Sequence, residues 1–243
     1  MKKILFVSNS FGVDATRYLY GVCRGAGKKV KVVTLYIGGC SLYRHYRNML
    51  SEEKAYDYYI NGMASGLKVS LKEALLSDEW DAVCTQQCSP DSGDPESYFP
   101  YLPALAEYFR RHAPKAKLYL QRTWSFAEGC PRFEKTAFTT REEMIPAIRE
   151  CYGKAAEAVQ ADGVIPGLEA MNLLYGAVGD AAYRDGFHAS LGLGRYTLAC
   201  LWFRYFFRTD PACSTFGDFD VEMTEEEILL ARQISGEALE CSD

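Results

Sequence analysis

Five short apolar runs recur along this chain, each bounded by turn formers and set apart from the next by a stretch of different rhythm. They are KKILFVSN (2–9), KVKVVTLYI (29–37), WDAVCTQQ (80–87), AKLYLQRTW (116–124) and GVIPG (163–167). Apolar runs without strict alternation suit strands covered on both faces, and such strands belong to parallel sheets. The intervening stretches 14–25, 69–76, 103–114, 139–160, 168–178, 196–207 and 224–239 read as helices, while the polar, tyrosine-rich region after Gly38-Gly39 reads as neither. Strands spaced by helices predict an α/β fold: a three-layer α/β/α sandwich around a mainly parallel, five-stranded sheet. No repeat or linker interrupts the pattern, so residues 1–243 are expected to form one domain.

Composition narrows the function. The chain carries a net charge of −5 with no basic stripe, which argues against a nucleic-acid partner. MKKILFVSNS holds only four apolar residues in a row, shorter than the roughly 7–15 of a secretory core, and it reads as a first strand. YTLACLWFRYFF (196–207) is too short to span a bilayer and contains Arg204, so it reads as a buried helix and no membrane partner is expected. Nine scattered cysteines suit a reducing compartment and small apolar packing. The expectation is a cytoplasmic protein, subject to any leader ahead of the sequence. Cys84 and Cys88 form the one close pair, without the second pair or histidines that zinc would want; no metal or cofactor is expected.

In a parallel sheet, ligands bind beyond the carboxyl ends of the strands. Four polar sets fall there: Ser8-Asn9-Ser10, Gly38-Gly39-Cys40-Ser41, Gln86-Gln87-Cys88-Ser89, and Asp185-Gly186-Phe187-His188 in a late loop. Each has a plainer reading. Ser10 suits a helix cap, Asp185 and His188 a local turn, and the glycines a tight bend. Together, however, they hold what ester cleavage needs. Ser10 offers a nucleophile, His188 a base, and Asp185, three residues before it, a carboxylate to orient the imidazole. The backbone N–H groups of Ser10 and Gly39, with the side-chain amide of Gln87, offer donors to an oxyanion. Cys40 and Cys88 lie in the same segments and are read as structural.

The stretches ILFVSNSF, LYIGGCSLYRHYRN, WDAVCTQQCSPDSG and DGFHASLGLGRY resemble the SGNH (GDSL-like) hydrolase family, in an uncharacterised branch of it. The resemblance covers most of the chain to about residue 207. It implies a flavodoxin-like α/β/α fold, no metal, Ser10 as nucleophile, Gly39 as the second-block glycine, and Asp185 with His188 as the last block. Two positions depart from the family pattern. Ser8 stands where the first block usually has glycine, and Thr85-Gln86-Gln87-Cys88 replaces Gly-x-Asn-Asp, so Gln87 must stand in for the asparagine amide. The resemblance also suggests His45 and Asn48 as pocket residues; the many tyrosines and Trp124 add aromatic faces on which a sugar ring stacks.

The expected function is therefore a serine esterase acting on a small acyl ester, with an O-acetyl group on a carbohydrate as the favoured substrate. A non-catalytic carbohydrate- or ligand-binding module on a degenerate scaffold is the alternative. A flavodoxin-like nucleotide binder is less well supported, since no phosphate-binding G-x-x-x-x-G-K-[ST] occurs. An acyltransferase differs from a hydrolase only in its acceptor and is not separable from it by sequence.

Overall fold

The computed structural model describes residues 1–241. The five apolar runs are strands: β1 (Lys2–Ser8), β2 (Val30–Tyr36), β5 (Ala82–Thr85), β6 (Lys117–Gln121) and β7 (Gly163–Ile165), all parallel. Among the described residues the sheet nevertheless has seven strands, in the order β4 (Met63–Val69), β3 (Tyr56–Ile60), β2, β1, β5, β6, β7. The expected five were two short, because the tyrosine-rich region contains the hairpin β3 (Tyr56–Ile60) and β4 (Met63–Val69), antiparallel at the β2 edge. Its turn is Asn61-Gly62, with φ of 52° and 84°, the left-handed pair of a two-residue hairpin. A side chain at Gly62 would also put a Cβ 2.2 Å from the Arg17 carbonyl oxygen.

Helices cover both faces. On one side lie α1 (Ser10–Thr16), α2 (Leu19–Gly25), α7 (Gly167–Val178), α8 (Leu193–Phe207) and α9 (Glu225–Glu240). On the other lie α3 (Leu42–Ser51), α4 (Leu71–Leu76), α5 (Tyr101–His112) and α6 (Arg141–Ala158), the last through Tyr152 against Tyr98. The apolar helix α8 is buried on nearly every side, with Trp202 packed on Phe6 of β1 at 5.0 Å between ring centroids. Among the described residues no helix is long and apolar enough to cross a membrane.

One helix boundary differs from expectation in a way that matters. The segment expected as a helix over 14–25 is two helices, and the first begins earlier, at Ser10. Asn9 is its cap: extended at φ −125°, it accepts the Phe11 N–H on its side-chain oxygen at 3.1 Å. Ser10 therefore does not cap the helix, and its hydroxyl is released for other contacts.

Candidate active site

The first turn of α1 stands at the carboxyl end of β1, the central strand, and Asn9 fixes it there. The Asn9 amide donates to the Cys40 carbonyl at 3.0 Å, and its oxygen also accepts from the Gln86 amide at 2.7 Å. Gln86 in turn accepts from Gln121 at 2.6 Å, and Gln121 from the Trp202 indole at 2.6 Å. These side chains are buried and mutually satisfied, so the line braces the turn that carries Ser10 across the ends of β1, β5 and β6. Amide partners this far apart along the chain leave no local pattern in the sequence.

Ser8, the departure from the usual glycine, is accommodated from below. It is fully buried and donates to the Leu35 carbonyl at 3.2 Å, while a Cβ at Gly12 would sit 2.1 Å from the Ser8 hydroxyl oxygen. Gly12, lacking a side chain, leaves the space that the Ser8 hydroxymethyl group fills.

Some 178 residues later, the 183–190 loop delivers the imidazole. His188 Nε2 lies 2.8 Å from Ser10 Oγ, and His188 Nδ1 lies 2.6 Å from Asp185 Oδ2. Asp185 Oδ1 accepts the backbone N–H groups of His188 at 2.9 Å and Phe187 at 3.3 Å, so one carboxylate shapes the loop and orients the ring. Desolvation pushes the Asp185 carboxyl up, but the hydrogen bonds from His188 and Phe187 outweigh it and hold the group below its ordinary value. With Nδ1–H directed at a carboxylate, Nε2 presents its lone pair to the serine hydroxyl.

The loop is tied to α1 independently of these three residues. Arg184 Nη1 donates to both oxygens of the buried Asp14, at 2.9 and 3.0 Å, and to the Ala189 carbonyl at 2.5 Å. Arg195 of α8 adds a third contact to Asp14 at 2.9 Å. Asp14 lies one helical turn beyond Ser10, and Arg184 immediately precedes Asp185. No sequence motif announced this pair.

A cleft of about 460 Å³ opens over these atoms, lined by Ser10, His188, Gly39, Tyr36, Ser89 and Phe187 among others. Among the described residues, no protein acceptor takes the backbone N–H of Ser10 or of Gly39. A larger hollow of about 620 Å³, between α2 and residues 215–218, has neither histidine nor cysteine in its lining.

Four expected contributors stand elsewhere. The Gln87 amide is committed to the Ser97 carbonyl and hydroxyl, each at 2.9 Å, while its oxygen accepts the Leu42 and Cys88 N–H groups at 2.9 Å. Every polar position of the side chain is thus used to join three segments, leaving no donor for an oxyanion. Gln87→Ala is expected to lower stability by about 1–3 kcal/mol through the unpaired backbone groups. Its loss in kcat should stay well short of the ~10²–10³-fold typical of a lost oxyanion donor. A 100-fold loss in kcat at unchanged Tm would return Gln87 to that role.

Trp124 is fully buried, stacked beneath Phe11 at 4.0 Å with its indole donating to the Phe187 carbonyl at 2.8 Å. It supports the floor of the site and offers no face to a sugar. His45 is fully buried against Tyr56, 2.9 Å from its hydroxyl, and burial lowers its pKa to about 3, so the ring is neutral. Asn48 is buried on the same helix, and neither residue reaches the cleft. Cys40 is buried with its thiol pushed up to about 12 by desolvation; Cys88 borders the cleft, its thiol pushed up by burial and by Asp91, to which Sγ donates at 3.1 Å. Both are protonated thiols rather than nucleophiles.

Comparison with known proteins agrees with this architecture. The family described as a domain of unknown function, DUF4886, matches residues 3–235. A DUF4886 family protein from Bacteroides uniformis ATCC 8492 is similar over 98% of this chain and 94% of its own, at 29% identity and a TM-score of 0.90. A protein from Slackia heliotrinireducens assigned as an SGNH hydrolase shares 21% identity over 82% of this chain and 95% of its own, with a TM-score of 0.57. The acetyl xylan esterase AlAXEase shares 15% identity over 81% and 96%, with a TM-score of 0.54. No curated protein matches in sequence. The three-layer fold is that of the SGNH-hydrolase relatives, and the chain itself belongs to the DUF4886 family.

Proposed function

We propose that this protein is a serine esterase that cleaves a small acyl ester through an acyl-enzyme. The observation that carries the reading is the unbroken line from Ser10 Oγ to His188 Nε2 at 2.8 Å and from His188 Nδ1 to Asp185 at 2.6 Å, open to a cleft. His188 removes the Ser10 proton as Oγ attacks the carbonyl carbon, and the N–H groups of Ser10 and Gly39 receive the oxyanion. Collapse of the tetrahedral adduct expels the alcohol, which takes the proton from His188. Water, deprotonated by the same imidazole, then attacks the acyl-Ser10 carbonyl; the acid leaves and the hydroxyl is restored. Asp185 orients the ring and stabilises its charged form throughout.

Acetylated carbohydrates are the first esters to test, since an acetyl xylan esterase is among the fold relatives. The occupied amide of Gln87 favours the alternative of a ligand-binding module, because it leaves two backbone donors where three were expected. Turnover of p-nitrophenyl acetate and of acetylated sugars separates the two. Hydrolysis by the wild type that is lost in His188→Ala supports the esterase; equal rates for both favour the binding module.

A further inference from the structure

The lining of the cleft is cationic on a chain that is acidic overall. The chain as a whole is at −5, yet the residues lining the cleft include Arg132, Lys135 and Arg184 and, among the described residues, no carboxylate. Arg184 is neutralised internally by Asp14. Arg132 and Lys135 are not: among the described residues, neither has a carboxylate within ion-pair distance or a hydrogen-bond acceptor for its side chain. Two cations thus line the cleft with, among the described residues, no carboxylate paired to either.

Arg132 is also held in place. Its guanidinium carbon Cζ lies over the Phe187 ring, 3.6 Å from the centroid, and the Phe187 and His188 ring centroids are 3.9 Å apart. The ring contact restrains the guanidinium, and its N–H groups, which have no acceptor on the protein among the described residues, are left to pair with a planar carboxylate. The position beside His188 also says which half of an ester meets it. The imidazole must hand its proton to the departing alcohol, so the alcohol lies on the His188 side while the acyl oxygen points toward the N–H groups of Ser10 and Gly39.

Resting on the esterase reading, we infer that the substrate is a small acyl ester of an acidic alcohol, whose carboxylate is bound by Arg132 with Lys135 adding charge at the rim. A hydroxy acid or a sugar acid acylated on a hydroxyl near its carboxylate has this chemistry. Neutral esters lack the group that the two cations select.

The test compares 4-acetoxybenzoate with 4-acetoxybenzamide, which share the acetyl group and the aromatic frame and differ in charge, each normalised to its own rate with hydroxide. Wild-type kcat/KM is expected to favour the benzoate by about tenfold or more, the scale of one charge-assisted hydrogen-bonded pair. The ratio should fall toward one in Arg132→Gln, fall part-way in Lys135→Gln, and shrink with added NaCl in the wild type, a readout that needs no variant. A wild-type ratio near one, or an Arg132→Gln variant that slows both esters equally, overturns this inference and leaves the esterase standing. Absence of turnover of both esters, together with absence of fluorophosphonate labelling of the folded protein, overturns both.

Discussion

Ser10→Ala is expected to lower kcat on a small acetyl ester by about 10⁴–10⁶-fold, and His188→Ala by a similar factor, with the double variant no slower than either alone. Serine without its base is a poor nucleophile, and the base without serine has nothing to activate, so the two losses do not add. The structure supplies a geometric reason to expect this. Nε2 is already at 2.8 Å from Oγ in the free protein, and the proton has one evident acceptor. Asp185→Asn should cost less than either. Its carboxylate is 41% exposed, so water can partly replace it, although loss of the Nδ1–H acceptor permits the wrong tautomer. Steady-state kinetics on all four variants checks the pattern; independent, multiplying losses would show that the two residues do not act as a unit.

Asp14→Ala should have the second largest effect, and on two quantities at once. Asp14 is 1% exposed and neutralises Arg184 and Arg195 together, while Arg195 and Arg17 also share Asp220. Removing Asp14 strips Arg184 of its carboxylate and leaves Arg195 with Asp220 alone. Breaking a buried pair from one side costs about 3–5 kcal/mol, and the partial exposure of both arginines places this case near the lower figure. Against a total stability of about 5–15 kcal/mol, this should appear as a clear drop in Tm. The same ion pair joins the helix that begins at Ser10 to the loop that carries His188. A displacement of about 1 Å between reacting groups can lower a rate ~100-fold, so kcat should fall by about that much where the variant is still folded, with KM little changed. Chemical denaturation and kinetics on one preparation measure both. A variant with reduced Tm and wild-type kcat would show that the pair holds the fold without positioning the site.

The layers, and the three residues that meet at the cleft, were legible in the sequence because each was announced by a local signal. Buried parallel strands are short apolar runs, and all five stood out. The β3–β4 hairpin did not, since β4 is exposed along almost its whole length and β3 is only half-covered, so neither shows the apolar run that marks a strand. The signal that could have revealed it was Asn61-Gly62, whose left-handed preference marks a two-residue turn regardless of what flanks it. Ser10, Asp185 and His188 were legible through residue type, order and the spacing of the last two. Trp124, His45 and Asn48 were misplaced because residue type does not reveal which way a side chain faces. Gln87 fits that description too: Leu42 and Ser97, which occupy it, lie 45 residues before and 10 after it. Asp14 and Arg184, 170 residues apart, were invisible for the same reason.

The direct test of the nucleophile is mass spectrometry of the folded protein after incubation with a fluorophosphonate. A single covalent adduct is predicted on the peptide containing Ser10, missing in Ser10→Ala and formed far more slowly in His188→Ala. An adduct that persists in Ser10→Ala, or a folded wild-type protein that takes up none, would contradict the assignment of this hydroxyl as the attacking group.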